Sequence, residues 1–271
     1  MGEDTQESTL TQEVAHVNEV EVNEQAPNPS NGNAPASLTL TSVIQPIQET
    51  HKSIAPQMVL KRDKANIRLL QEKCRQFCLA TFFRQHEPVR SLGITSSISG
   101  EGKSLLALAL AQVLAEDSTN PVILLECNWE HRSLHKHLDI PLHPGLAEWL
   151  RGECSEQAIR HEITPNLTAI PAGNSKRDTV KLLQQIQQQG LLDMLAHNNA
   201  LLLVDLPSIL TTAYGALAAS LAESIAIVVR AGATTDFQLT ETCSRLKGLS
   251  IEGLVFNQMQ SKIPRWIQRI L

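Results

Sequence analysis

The run Ser97-Ile98-Ser99-Gly100-Glu101-Gly102-Lys103-Ser104 has the residue types and the spacing to hold a phosphate chain. It fits the phosphate-loop pattern G-x-x-x-x-G-K-[ST] at every defining position but the first, where Ser97 stands for glycine. Gly100 and Gly102 let backbone N–H groups curl around anionic oxygens with no Cβ in the way. Lys103 can reach the outer phosphates, the hydroxyl of Ser104 can ligate Mg²⁺, and the helix that follows adds its dipole. The run predicts ATP and Mg²⁺ as cofactors, with Ser99, Gly100, Glu101, Gly102, Lys103, Ser104 and Leu105 as the binding set. The plainer alternative is a glycine-rich turn between strand and helix, and Gly-Lys-Ser in that setting speaks against it.

A phosphate loop needs a second acid at the end of a neighbouring strand. Leu201-Leu202-Leu203-Val204-Asp205 has that form, which makes Asp205 a candidate catalytic residue and Mg²⁺ ligand. A strand-end cap is the bland alternative. Short apolar runs at Ser91–Thr95, Val122–Leu125, Leu167–Ile170, Leu201–Val204, Ile225–Val229 and Leu254–Phe256 predict strands. Between them, helical spacing predicts helices over Lys103–Ala115, Ser133–Leu138, Gly145–Leu150, Val180–His197, Thr212–Leu221 and Phe237–Lys247. A further helix is expected from Met58 to about Gln85, ended by Pro88. Strands apolar throughout and separated by helices imply a doubly wound α/β domain with a mainly parallel sheet. Its ligand belongs at the carboxyl ends of the strands.

Composition narrows the function classes. The 271 residues carry a net charge of -5, and the pI of about 6.0 argues against a nucleic-acid partner. The charge is unevenly spread: residues 1–50 hold eight acids and no Lys or Arg, and the remainder sets 20 acids against 23 bases. Residues 1–57, rich in Glu, Gln, Asn, Pro, Ser and Thr, are expected to be a disordered acidic tail, with residues 58–271 forming the nucleotide-binding domain. The Met-Gly-Glu-Asp start has no signal-peptide pattern and no run approaches a membrane span, so a cytoplasmic protein is expected. Five scattered cysteines are expected to be reduced thiols. His131, His135, His137 and His143 fit no closed metal site and are read as surface residues.

Several segments occur in the order found in a known family: Ile94 to Ser104, Val122–Leu138, Gly145 to Glu153, Leu167 to Gly173, Leu203-Val-Asp-Leu-Pro207, Val228 to Gly232, and Gly253 to Asn257. Over about residues 65–260 the chain resembles the bacterial tyrosine kinases of capsule and exopolysaccharide synthesis, in their stand-alone cytoplasmic form. The resemblance implies phosphoryl transfer from ATP, or ATP hydrolysis, beside a membrane polysaccharide co-polymerase or export protein, with a possible peripheral location at the inner membrane face.

Carried over by position, the resemblance assigns Glu126 and Asn128 to the family's paired aspartates, which assist Mg²⁺ and the attacking hydroxyl. Asn128 keeps an oxygen ligand and loses the charge. Asn257 matches a residue that contacts the adenine base, or else caps its strand. Glu72 and Arg75 match part of an oligomerisation element, or else form an exposed intrahelical pair. The family's C-terminal tyrosine cluster has no counterpart, since Tyr214 is the single tyrosine. Trp266, Ile267, Ile270 and Leu271 would form one face of a short helix, for docking or for core packing. Two other readings remain: a nucleotide-binding adaptor or switch without kinase turnover, and a positioning-type ATPase, whose signature lysine falls where this chain has Ile98.

Overall fold

A computed structural model describes residues 64–195 and 199–258. The expected acidic tail, the start of the first helix and the Trp266 segment lie outside the described residues. The chain runs α1 (Lys64–Phe82), β1 (Ser91–Ser96), α2 (Lys103–Asp117), β2 (Val122–Glu126), α3 (Leu134–Leu138), α4 (Leu146–Leu150), β3 (His161–Thr164), β4 (Leu167–Ile170), α5 (Thr179–Gln189), α6 (Leu191–Leu195), β5 (Leu201–Asp205), α7 (Gly215–Ala219), β6 (Ser224–Arg230), α8 (Asp236–Arg245) and β7 (Ser250–Asn257).

The strands form one sheet in the order β3-β4-β2-β5-β1-β6-β7. Every pairing is parallel except β3 with β4. Each central strand is buried along its length because both of its faces are covered. Leu201 and Leu203 of β5 face the layer of α1 and α2, with Cys78, Leu110 and Leu114. Leu202 and Val204, the alternate residues, face Leu150, Leu183 and Ala218 of α4, α5 and α7. That alternation is the period-two geometry of a strand applied to an all-apolar run.

Two details depart from the sequence expectation. The helix expected over Val180–His197 stops at Gly190, whose φ of 59° is left-handed, and resumes as α6. The strand β3 has no apolar run to announce it. Its His-Glu-Ile-Thr residues are half-buried or exposed at the sheet edge, and only the turn dipeptide Pro165-Asn166 marks the hairpin.

Cys74 and Cys78 sit inside the α1–α2 contact, and burial pushes their thiols up to about 11 and about 12. None of the five cysteines is paired.

The topology brings three carboxyl-terminal strand ends together. Asp205, last in β5, lies in register with Ile94 of β1 on one side and with Glu126 of β2 on the other. The phosphate loop leaves β1 at that edge. The chain continues beyond β5 as a strap laced to β1: the Leu206 N–H donates to Ile94 O at 3.0 Å, and the Ile209 and Leu210 N–H groups donate to Ser96 O and Ser97 O at 2.9 and 3.0 Å.

Candidate functional site

Gly100 and Gly102 take φ values of 85° and 92°, the left-handed region where a Cβ is strained. At Gly102 a Cβ would also collide with the Asn257 amide. A Gly102→Ala variant should lose about 1–3 kcal/mol of stability from backbone strain alone, read as a lower denaturation midpoint. Ser97, standing where the motif has glycine, is fully buried, and the Thr242 hydroxyl of α8 donates to its Oγ at 2.9 Å. A partner across the core thus accommodates the departure from the motif.

Glu101 is fixed from two sides. Its Oε2 accepts the Ile98 N–H at 2.8 Å within the loop. Its Oε1 accepts the Arg230 N–H at 3.3 Å and the Thr234 hydroxyl, beyond β6. The Asn257 Nδ2 donates to Glu101 O at 2.9 Å, and Asn257 Oδ1 accepts the Gln258 N–H. Asn257 therefore serves here as a clamp on the phosphate loop, with its amide committed to backbone at the end of β7. Leu105, in the first turn of α2, has an exposed side chain.

Lys103 opens α2 and is buried. The Asp205 carboxylate is fully buried, and neither of its oxygens has a well-formed hydrogen bond among the described residues, although the Ser104 hydroxyl is close enough to favour the charged form. Burial raises its pKa to about 7; Lys103 and the Ser104 hydroxyl pull it down, and Glu126 pushes it up. A buried acid without a well-formed hydrogen bond is costly. A cation ligated by both Asp205 and Ser104 would satisfy it, so these residues fit Mg²⁺, a hard ion that takes few protein oxygens and keeps phosphate and water as its other ligands.

The two positions matched to the family's paired aspartates have other partners. The family resemblance implies metal binding and nucleophile activation for Glu126. In the structure, Glu126 Oε1 accepts the Ser133 and Leu134 N–H groups at 2.6 and 2.9 Å, and Oε2 accepts the Ala172 N–H at 3.1 Å. The carboxylate is fully buried and holds the start of α3 and the end of β4 against β2. Asn128 closes a tight turn: its Oδ1 accepts the His131 N–H and its Nδ2 donates to His131 O, both at 3.3 Å. Both side chains thus carry structural hydrogen bonds to backbone. Only the three-dimensional neighbourhood reveals this, because the amides that bind Glu126 come from residues seven, eight and 46 positions away.

Tyr214 is buried at the start of α7, and burial followed by the Glu130 carboxylate raises its pKa. Arg75 is occupied within the subunit. Its Nε lies 2.7 Å from Asp117 and its Nη2 3.4 Å from Glu116, which ties α1 to the end of α2 and leaves Glu72 more than half exposed. Of the four histidines, His143 meets Glu148 at 3.0 Å. Among the described residues no group of His, Cys, Asp and Glu is placed to hold a metal by itself, and no helix is long and apolar enough to cross a membrane.

The sheet order, the phosphate loop after β1 and the acid ending the adjacent strand define a P-loop NTPase-type domain. No family model matches the chain. Over 162 residues it is 28% identical to the tyrosine-protein kinase Ptk of Acinetobacter johnsonii, an alignment that covers 59% of this chain and 22% of that protein. The BceF tyrosine kinase domain superposes with a TM-score of 0.59 at 26% identity, over 70% of this chain and 76% of that domain. The kinase domain of the Escherichia coli tyrosine kinase ETK gives 0.59 at 22% identity over 65% and 71%, a likeness of fold. Over its P-loop domain the chain is similar to bacterial tyrosine kinases. It spans 22–23% of the length of the curated relatives it matches.

Proposed function

We propose that this protein binds Mg²⁺ and ATP in the loop Ser97–Ser104 and serves phosphoryl transfer at the cytoplasmic side of a membrane polysaccharide chain-length or export complex. The observation that carries the reading is the buried Asp205 carboxylate, without a well-formed hydrogen bond, beside Lys103 and Ser104 at the mouth of the phosphate loop. Lys103 would neutralise charge on the outer phosphates, and Ser104 and Asp205 would hold the metal. Bound Mg²⁺ would supply electrostatic stabilisation of the transferring phosphoryl group. Glu101 and Asn257 keep the loop in shape, which supports positioning, the main device of phosphoryl transfer.

We place the acceptor hydroxyl outside these 271 residues. Tyr214 is the single tyrosine, and it is buried against Glu130. A second reading is supported by Glu126 and Asn128: with both hydrogen-bonded to backbone, the described residues offer Asp205 as the carboxylate nearest the loop's Lys103 and Ser104, already assigned to the metal. The protein would then bind nucleotide as an adaptor or switch without turnover. Labelled phosphate transfer from ATP, compared between wild type and Lys103→Ala, separates the two. Transfer present in wild type and at least a hundredfold lower in the variant supports the kinase; none in either, with nucleotide binding retained by wild type, selects the switch. If wild type binds no nucleotide, both readings fail.

A further inference from the structure

Three hydroxyls from distant parts of the sequence meet beside the phosphate loop. The Ser99 Oγ lies 3.2 Å from Ser208 Oγ and 3.2 Å from Thr211 Oγ1, and the last two lie 2.5 Å apart. Ser99 is the third residue of the loop. Ser208 and Thr211 belong to the strap that leaves β5 three and six residues after Asp205. The strap is held over the loop by the Ile209 and Leu210 N–H bonds to β1 and its end, and by the Thr95 hydroxyl, which donates to Pro207 O at 2.7 Å. The cluster therefore stands on the Asp205 side of the loop mouth. A nucleotide whose metal rests on Asp205 and Ser104 would direct its outermost phosphate to that side.

We propose that Ser99, Ser208 and Thr211 form a reader of the terminal phosphate, by which the site distinguishes a nucleoside triphosphate from a diphosphate. The proposal rests on the nucleotide site proposed above. Each hydroxyl has one proton to donate and lone pairs to accept with. Without a terminal phosphate the three satisfy one another across the loop. A terminal phosphoryl group offers ionised oxygens to the same donors, and hydrogen bonds to an ionised acceptor are roughly twice as strong as neutral ones. The exchange therefore favours the triphosphate. A diphosphate falls one phosphate short and leaves the cluster bonded to itself. Thr211 is exposed, so its hydroxyl can turn toward an incoming ligand, whereas Ser208 is buried.

The test is calorimetric titration of the full chain with Mg·ADP and with Mg·ATPγS, for wild type and for Ser99→Ala, Thr211→Val and Thr211→Ser. The expected result is a wild-type preference for the triphosphate that falls about tenfold in Ser99→Ala and Thr211→Val, with ADP affinity held within about twofold in Thr211→Val. Thr211→Ser, which keeps the hydroxyl, should retain the wild-type ratio. ADP binding with an unchanged ratio in the alanine and valine variants would overturn the reader and leave the nucleotide site standing. Equal losses for both nucleotides would also overturn it, because the hydroxyls would then be supporting the loop. Absence of ADP binding in wild type would overturn the site and the reader together.

Discussion

Asp205→Asn should make the nucleotide-free protein more stable at pH 8 and at the same time unable to hold Mg²⁺ and nucleotide. The Asp205 carboxyl has a folded-state pKa of about 7, raised by burial from an unfolded value near 4. The sign follows from proton binding. Below about pH 4 both states are protonated and the buried group costs little. Between about 4 and 7 the unfolded chain gives up the proton while the folded protein keeps it, so stability falls as pH rises. Above 7 the full penalty applies, at most about 4 kcal/mol for a shift of this size. Asparagine keeps the shape without the charge. The variant should melt on the order of 5–10 °C above wild type at pH 8, with the gap closing toward pH 5. Added Mg²⁺ and nucleotide should stabilise wild type alone. A variant less stable than wild type at pH 8 would mean that the fold itself satisfies the carboxylate.

Glu126→Ala should have an effect of similar size and opposite sign. It removes the acceptor of three backbone N–H groups, two of them in fully buried bonds. Each stranded donor costs about 1–3 kcal/mol, so a loss of about 4 kcal/mol is expected after partial relaxation. Glu126→Gln should fall between. Its amide oxygen can still accept the Ser133 and Leu134 N–H groups, but its NH₂ would face the Ala172 N–H donor. Thermal unfolding of both variants without ligand checks this. If Glu126 serves mainly the metal, the opposite pattern appears: stability close to wild type and a loss of Mg²⁺-dependent binding.

Much of the architecture could be read from residue order. The strands of the parallel core are apolar runs, and the phosphate loop and Asp205 follow from local chemistry at fixed positions. What the sequence could not show is which groups meet across the fold. The resemblance makes Glu126 a metal ligand, and only the fold adds that it accepts the amides of Ser133, Leu134 and Ala172. For Asn257 the sequence leaves a base contact and a strand-end cap both open, and only the fold places it against Glu101 and Gly102. Ser99 and Thr211 are 112 positions apart and become neighbours only because the strap after β5 runs along β1. The edge strand β3 was hidden for a simpler reason: at the rim it buries too little to need an apolar pattern.

The most direct measurement is titration of the full chain with ATPγS by calorimetry, once in Mg²⁺ and once with the metal chelated. The Asp205–Ser104 site predicts saturable binding of one nucleotide per chain in Mg²⁺, about tenfold or more weaker without the metal, a difference of about 1.4 kcal/mol or greater, and abolished in Lys103→Ala. Wild-type protein that shows no saturable binding in Mg²⁺, or binds equally well with the metal removed, would contradict it.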